Sequence, residues 1–192
     1  VAWRVFFSPP ATPGAAQDES GDCPRSAWRI VDASLTPEQQ KIVAAAIRQV
    51  EDRLCVSVDS LPIVRVVPAA AIEDVCGPGK VAGCAEKTTI WVSDKQFSVS
   101  VVAHEIAHTV VANIDEAVPF WLNEALATLA EGGPLRGGDP VAAAQAFVSG
   151  DPRAWLLYRD QVGRISYEAT ATLLQQLLWP HTVQELVRAA KQ

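Results

Sequence analysis

Methionine is missing altogether from this chain of 192 residues, and histidine and tyrosine are scarce, with three and two copies. A chain that opens on Val1 and holds no Met is expected to have had its natural start removed. No stretch approaches the about 20 consecutive apolar residues that a membrane span needs, although 49% of the residues are hydrophobic. A single domain over residues 1–192 with a real buried core is expected, and no membrane partner. Lys and Arg number 16 against 22 Asp and Glu, a net charge of −6, and they form no cluster. That balance argues against nucleic acid and against anionic lipid. Internal repeats and low-complexity tracts are absent too.

Four cysteines, Cys23, Cys55, Cys76 and Cys84, contain no C-x-x-C pair, so a thiolate zinc site is not expected. An even set suits disulfides and a secreted or extracytoplasmic protein. Of the three possible pairings, Cys23–Cys55 with Cys76–Cys84 is favoured, because Gly77-Pro78-Gly79 lets the short second loop turn.

What is present is organised in two parts. Residues 1–7 alternate like a strand, residues 8–25 are rich in Pro, Gly and small polar residues like an exposed loop, and residues 28–31 read as a second strand. Thr36-Pro37 then caps a long helix with Val43, Ala46, Ile47, Val50 and Leu54 on one face. Ile63 to Val67 reads as another strand. From Val99 onward only helices are expected. The plan is α+β, with a small sheet in a mixed strand and helix part (residues 1–98) and a helical part (residues 99–192).

At the junction stands His104-Glu105-Ile106-Ala107-His108, which reads H-E-x-x-H. Four residues apart on a helix, the two imidazoles share one face. A metal ion such as zinc needs nitrogen ligands converging from one side, and Glu105 lies about 100° round the helix, within reach of a water at the metal. Around the motif, residues 99–111 are apolar on nearly every face, as in a buried helix. Two histidines and a glutamate unpartnered there would cost roughly 2–7 kcal/mol each. A metal ion supplies a partner; the plainer reading is a helix whose histidines bond to backbone carbonyls.

A third protein ligand is expected. The metzincin pattern asks for Gly and His where this chain has Val111 and Ile114, which excludes that class. Asp115 and Glu116 are the nearest later carboxylates, but on a continued helix they would sit roughly 10–12 Å along the axis from His108. The better candidate is Glu124, in a second helix over residues 119–131 that Pro119 opens and Gly132-Gly133-Pro134 ends. A short turn at residues 114–118 would return this helix antiparallel to the first. Leu122, Leu126 and Leu129 share one face, and Glu124, Thr128 and Glu131 the other. Glu131 reads as part of a solvated face.

H-E-I-A-H followed by W-L-N-E-A-L-A, with fifteen residues between His108 and Glu124, resembles the gluzincin zinc metallopeptidases, and most of all their peptidase-MA-like branch, whose usual second motif is W-L-x-E-G-L-A. The resemblance is specific over residues 81–133 and weaker beyond. It implies a zincin-like fold with one zinc per chain held by His104, His108 and Glu124, and Glu105 as the general base that takes a proton from the attacking water. Ala125 stands where Gly is common. Thr128 stands where thermolysin-type enzymes carry an Asp that orients a ligand, and its hydroxyl could accept from an imidazole N–H. Asn123 is the other residue expected behind the ligands.

Residues 80–92 resemble the segment that forms an edge strand over the cleft in such peptidases, with Val81, Ala82 and Gly83 binding substrate. An unpaired edge can add a peptide as one more strand whatever its sequence. The same residues also read as an ordinary hairpin with Trp91 in the core, and the two readings are compatible. For the oxyanion donor the choice is Tyr167, which opens a helix over residues 166–179 on the face of Ala171, Leu174 and Leu178 and resembles the Tyr beginning the helix after the active site in the family. Tyr158 and His181 are the alternatives; His181 precedes Thr182-x-x-Glu185, a capping-box start.

The expected function is therefore a secreted zinc peptidase, a monomer that cuts internal bonds of peptide or protein substrates. The amine-anchoring G-x-M-E-N motif of related aminopeptidases is absent. Two other readings are a catalytically inactive zinc-binding module that binds a protein partner and a non-peptidase zinc hydrolase. Two His and a carboxylate suit zinc, but other divalent first-row ions can take such a site.

Overall fold

The computed structural model describes residues 23–24, 26, 34–60, 62–79, 82–132 and 182–189. The strands expected at residues 1–7 and 28–31, most of the loop between them and the helix at residues 166–179 lie outside these. So do Val81, Tyr158, Tyr167 and His181.

Helix α1 (Pro37–Leu54) starts where its sequence can satisfy the loose amides of a first turn. Thr36 accepts from the Gln39 N–H at 3.3 Å, and the Gln39 side chain accepts from the Thr36 N–H at 2.9 Å, a reciprocal cap with proline at the first helical position. The stripe Val43, Ala46, Ile47, Val50 and Leu54 is buried. Glu51 is buried in the same stripe, 1% exposed, and accepts from the Ser26 N–H at 2.8 Å. Cys55 ends the helix in the left-handed conformation (φ 49) and is bonded to Cys23. That bond and the Glu51 contact hold Cys23 and Ser26 against α1.

Strand β1 (Ile63–Val67) is followed by a 3-10 turn (Ala69–Ala71) and the short helix α2 (Ile72–Cys76). Within residues 82–93 the chain forms the hairpin that is one of the two readings of this segment: β2 (Gly83–Glu86) and β3 (Thr89–Ser93), turned at Lys87 (φ 51) and Thr88. The sheet order is β1-β3-β2, with β1 parallel to β3 and β2 antiparallel to it. Ile90 and Val92 point into the core with Val64, while Trp91 alternates to the other face and is only half-buried, so it is not the core residue of the hairpin. By the same alternation Cys84 faces away from Gly83, and its bond to Cys76 ties α2 to that side of the sheet. Gly77 (φ 90) and Gly79 (φ 79) take the positive φ that this short disulfide loop requires.

Helices α3 (Val99–Ile114) and α4 (Phe120–Glu131) pack on each other and on α1, and α3 also lies across β2 and β3. A last described helix, α5 (Val183–Ala189), buries Val183 and Val187 in the same core and begins with the Thr182–Glu185 capping pair. All described strands precede Val99 and only helices follow, which makes the described fold α+β with a small three-stranded sheet. No helix among the described residues is long and apolar enough to cross a membrane. The two disulfides join the cysteines in the favoured pairing and suggest an extracellular location, since such bonds persist in oxidising compartments.

Candidate metal centre

Helix α3 is apolar almost all round, and Val102, Ala103, Ile106, Ala107, Val110 and Val111 are buried between the sheet and the other helices. Ser98 caps its start, accepting from the Val101 N–H. Its end is a turn built by Asp115, whose carboxylate accepts from the Ala117 N–H at 2.8 Å. Asp115 is thus a turn residue and Glu116 is exposed, and neither joins the histidines. Pro119 then opens α4, which buries Leu122, Ala125, Leu126 and Leu129. The partners across the two helices run in opposite chain order, His108 to Asn123 and His104 to Glu131, so α4 returns antiparallel along α3.

This packing brings His104, His108 and Glu124 into one group that could hold a metal ion, their ligand atoms all within 4.8 Å of one another. The two Nε2 atoms are 3.1 Å apart. Glu124 sets one carboxylate oxygen 3.9 Å from His104 Nε2 and the other 3.8 Å from His108 Nε2. Bonds of about 2.0–2.1 Å in a tetrahedron place ligand atoms about 3.3 Å apart, so the two nitrogens are already at that spacing and the carboxylate is about half an ångström wide of it. The side chains stay 15–22% exposed, which leaves a path for an ion.

Hydrogen bonding decides which nitrogens are on offer. His108 Nδ1 donates to Asn123 Oδ1 at 2.9 Å, an oxygen that can only accept, so a neutral His108 carries its proton on Nδ1 and a lone pair on Nε2. His104 Nδ1 is buried, and the Glu131 carboxylate lies 3.4 Å from it, a charge contact rather than a well-aligned hydrogen bond. A proton on this nitrogen again leaves Nε2 as a lone pair. Two lone pairs 3.1 Å apart, facing a carboxylate, repel unless a positive charge is shared among them. A divalent ion provides that charge, and so does a proton on His104. Burial pushes the His104 pKa down, but Glu131, with the charges of Glu105 and Glu124, outweighs it and raises the pKa above the usual 6.5.

Glu105 is 5% exposed and faces the sheet. A β-carbon built on Gly83 would lie 3.1 Å from Glu105 Oε1, so β2 passes directly over this carboxylate. In β2 the Ala82 carbonyl accepts from the Ser93 N–H at 2.8 Å, and antiparallel pairs alternate, so Ala82, Cys84 and Glu86 turn their amides and carbonyls toward β3. Those of Gly83 and Ala85 point to the outer edge of the described sheet.

The expected residues therefore divide. His104, His108, Glu124 and Asn123 come together, with Glu105 close enough to act on His104 and Gly83 against Glu105, whereas the Ala82 carbonyl is taken up by the Ser93 N–H within the hairpin. Thr128 is not the partner of an imidazole: Asn123 and Glu131 occupy the two Nδ1 positions. Glu131, which reads as solvated in the sequence, is instead turned onto His104. The signal for it was the helical stripe Glu124–Thr128–Glu131, in which only the longer side chain spans the gap. Val81 and Tyr167 lie outside the described residues. No protein-family model, curated protein or solved structure matches the chain.

Proposed function

We propose that this chain is a zincin-like, gluzincin-type peptidase that binds one zinc ion at His104, His108 and Glu124 and cuts internal peptide bonds of proteins outside the cell. The observation that carries the reading is the pair of Nε2 atoms 3.1 Å apart beside a carboxylate, with a second, buried carboxylate under a sheet edge. Zinc bound there would polarise the scissile carbonyl and bring the pKa of water down to about 7. Glu105 is the general base: its carboxylate takes the proton of the attacking water and passes it to the leaving amine. Asn123 holds the His108 ring in the tautomer that offers Nε2. Substrate lies along β2 as an added strand, its backbone paired with the outward amides and carbonyls of Gly83 and Ala85, two residues or about 6.8 Å apart. Pairing through main chain alone makes an unfolded protein of any sequence a substrate and puts the bond to be cut beside Glu105. The further assignments of a monomer and of Tyr167 as oxyanion donor belong to the same reading.

The test is cleavage of a denatured protein mixture by the zinc-loaded chain, with and without chelator, beside Glu105→Gln. Cleavage lost on chelation, and lost in a Glu105→Gln variant that still carries its metal, is the expected result. A parent chain that binds metal but cuts nothing would replace the peptidase reading with that of a metal-binding module.

A further inference from the structure

Helix α4 ends on a carboxylate, which is the unfavourable place for one, because the helix dipole puts partial negative charge at that end. The chain nevertheless holds Glu131 there firmly. Gln49 of α1 donates from Nε2 to the carbonyls of both Ala130 (2.8 Å) and Glu131 (2.7 Å). Gly132 then leaves the helix at φ 66, so close to α1 that a β-carbon on it would meet Arg53 Nε and Gln49 Nε2 at 3.0 Å. With its backbone clamped, Glu131 directs its carboxylate at the buried Nδ1 of His104, 3.4 Å away. That nitrogen has no hydrogen-bond partner among the described residues, so Glu131 is the acceptor it can use. Thr128, one turn earlier on the same stripe, makes no such contact.

We propose that Glu131 is the positioning residue of the metal centre: it holds the Nδ1 proton of His104, so that Nε2 is presented to the ion, and its charge makes that nitrogen a stronger ligand. The proposal rests on the metal-binding reading of His104, His108 and Glu124 and adds to it a division of labour. His108 is oriented by a neutral amide and His104 by an anion. An anionic partner raises the basicity of an imidazole ligand more than an amide does, and loss of such a partner typically costs about 10–100-fold in metal affinity. Gln49 is drawn into the same device from α1, since it sets the helix end from which Glu131 reaches.

The experiment compares the whole chain with its Glu131→Gln variant by zinc competition against a chromophoric chelator, and reads the His104 ring tautomer by nitrogen-15 NMR in the metal-free protein. Expected are zinc binding about 10–100-fold weaker and a weakened Nδ1–H preference, because the Gln amide oxygen can still accept but carries no charge, with an unchanged fold by circular dichroism. Should Glu131→Gln fail to fold, Glu131→Asp keeps the charge but withdraws it by one methylene, and should bind zinc with an intermediate loss. Zinc affinity within about threefold of the parent together with an unchanged tautomer, in whichever variant folds, would overturn the proposal. Failure of the parent chain itself to bind any divalent ion would overturn the underlying metal reading, and is told apart because no substitution is involved.

Discussion

Replacing Gly83 with alanine adds one methyl group where three atoms already stand. Its carbon would fall 2.7 Å from the Trp91 carbonyl oxygen, 3.1 Å from Glu105 Oε1 and 3.2 Å from Glu105 Cγ. The first neighbour is backbone of the paired strand and cannot rotate aside, so β2 must move off β3 or the hairpin must bend. Glu105 can yield only by leaving a buried position. Overpacking of this kind costs about 1–3 kcal/mol. Alanine recovers about 0.4–1 kcal/mol by restricting the unfolded chain, so the net loss runs up to about 2.6 kcal/mol. At about 2–4 °C per kcal/mol for a domain of this size, the variant should melt below the parent by up to about 10 °C. Turnover should suffer more than stability, since a displacement near 1 Å at a catalytic group can cost about 10²-fold. Metal content should not change, because the three atoms nearest the added carbon belong to Trp91 and Glu105 and to none of the candidate ligands. Thermal unfolding by circular dichroism, elemental analysis and a cleavage assay read the three effects. A Gly83→Ala protein that melts and cleaves like the parent would refute the close passage of β2 over Glu105 and, with it, the placement of substrate on this edge.

Two further outcomes follow from groups buried elsewhere. Glu51→Ala strands the Ser26 N–H that the carboxylate now accepts, a loss of about 1–3 kcal/mol, whereas Glu51→Gln keeps an acceptor oxygen and should lose less; equal melting temperatures for all three proteins would contradict this. In metal-free protein the raised pKa of His104 stabilises the fold fully below the ordinary value of 6.5, and that contribution disappears as pH climbs through the raised value. The melting advantage of metal-free parent over His104→Gln should therefore shrink with rising pH, and an advantage that grows would show the sign to be wrong.

Features set by neighbours in sequence could be read from the sequence. Thr36-Pro37, the turn at Gly77-Pro78-Gly79 and the apolar envelope of His104 and His108 each state their conformation within a few residues. Glu124 was legible for a different reason: a motif helix short of one ligand and a proline-led helix returning after a short turn constrain each other. Glu51 and Glu131 were not, because each is a lone carboxylate whose partner is supplied by packing, a segment around Ser26 in one case and the far end of α3 in the other. Thr128 and Glu131 share a helix face, and periodicity cannot tell which of them touches a ring. Reach decides it, and reach depends on the spacing of α3 and α4. Trp91 likewise has the size of a core residue, but the register with Cys84 and Arg65 sends it to the outer face.

Metal stoichiometry tests the central claim most directly. The parent chain and Glu124→Ala are each equilibrated with excess zinc, dialysed against metal-free buffer and analysed for bound zinc per chain. Three converging donors predict about one zinc in the parent, and little or none once Glu124 is removed and two imidazoles remain. A parent chain without zinc, or a Glu124→Ala chain that keeps a full equivalent, would contradict the account.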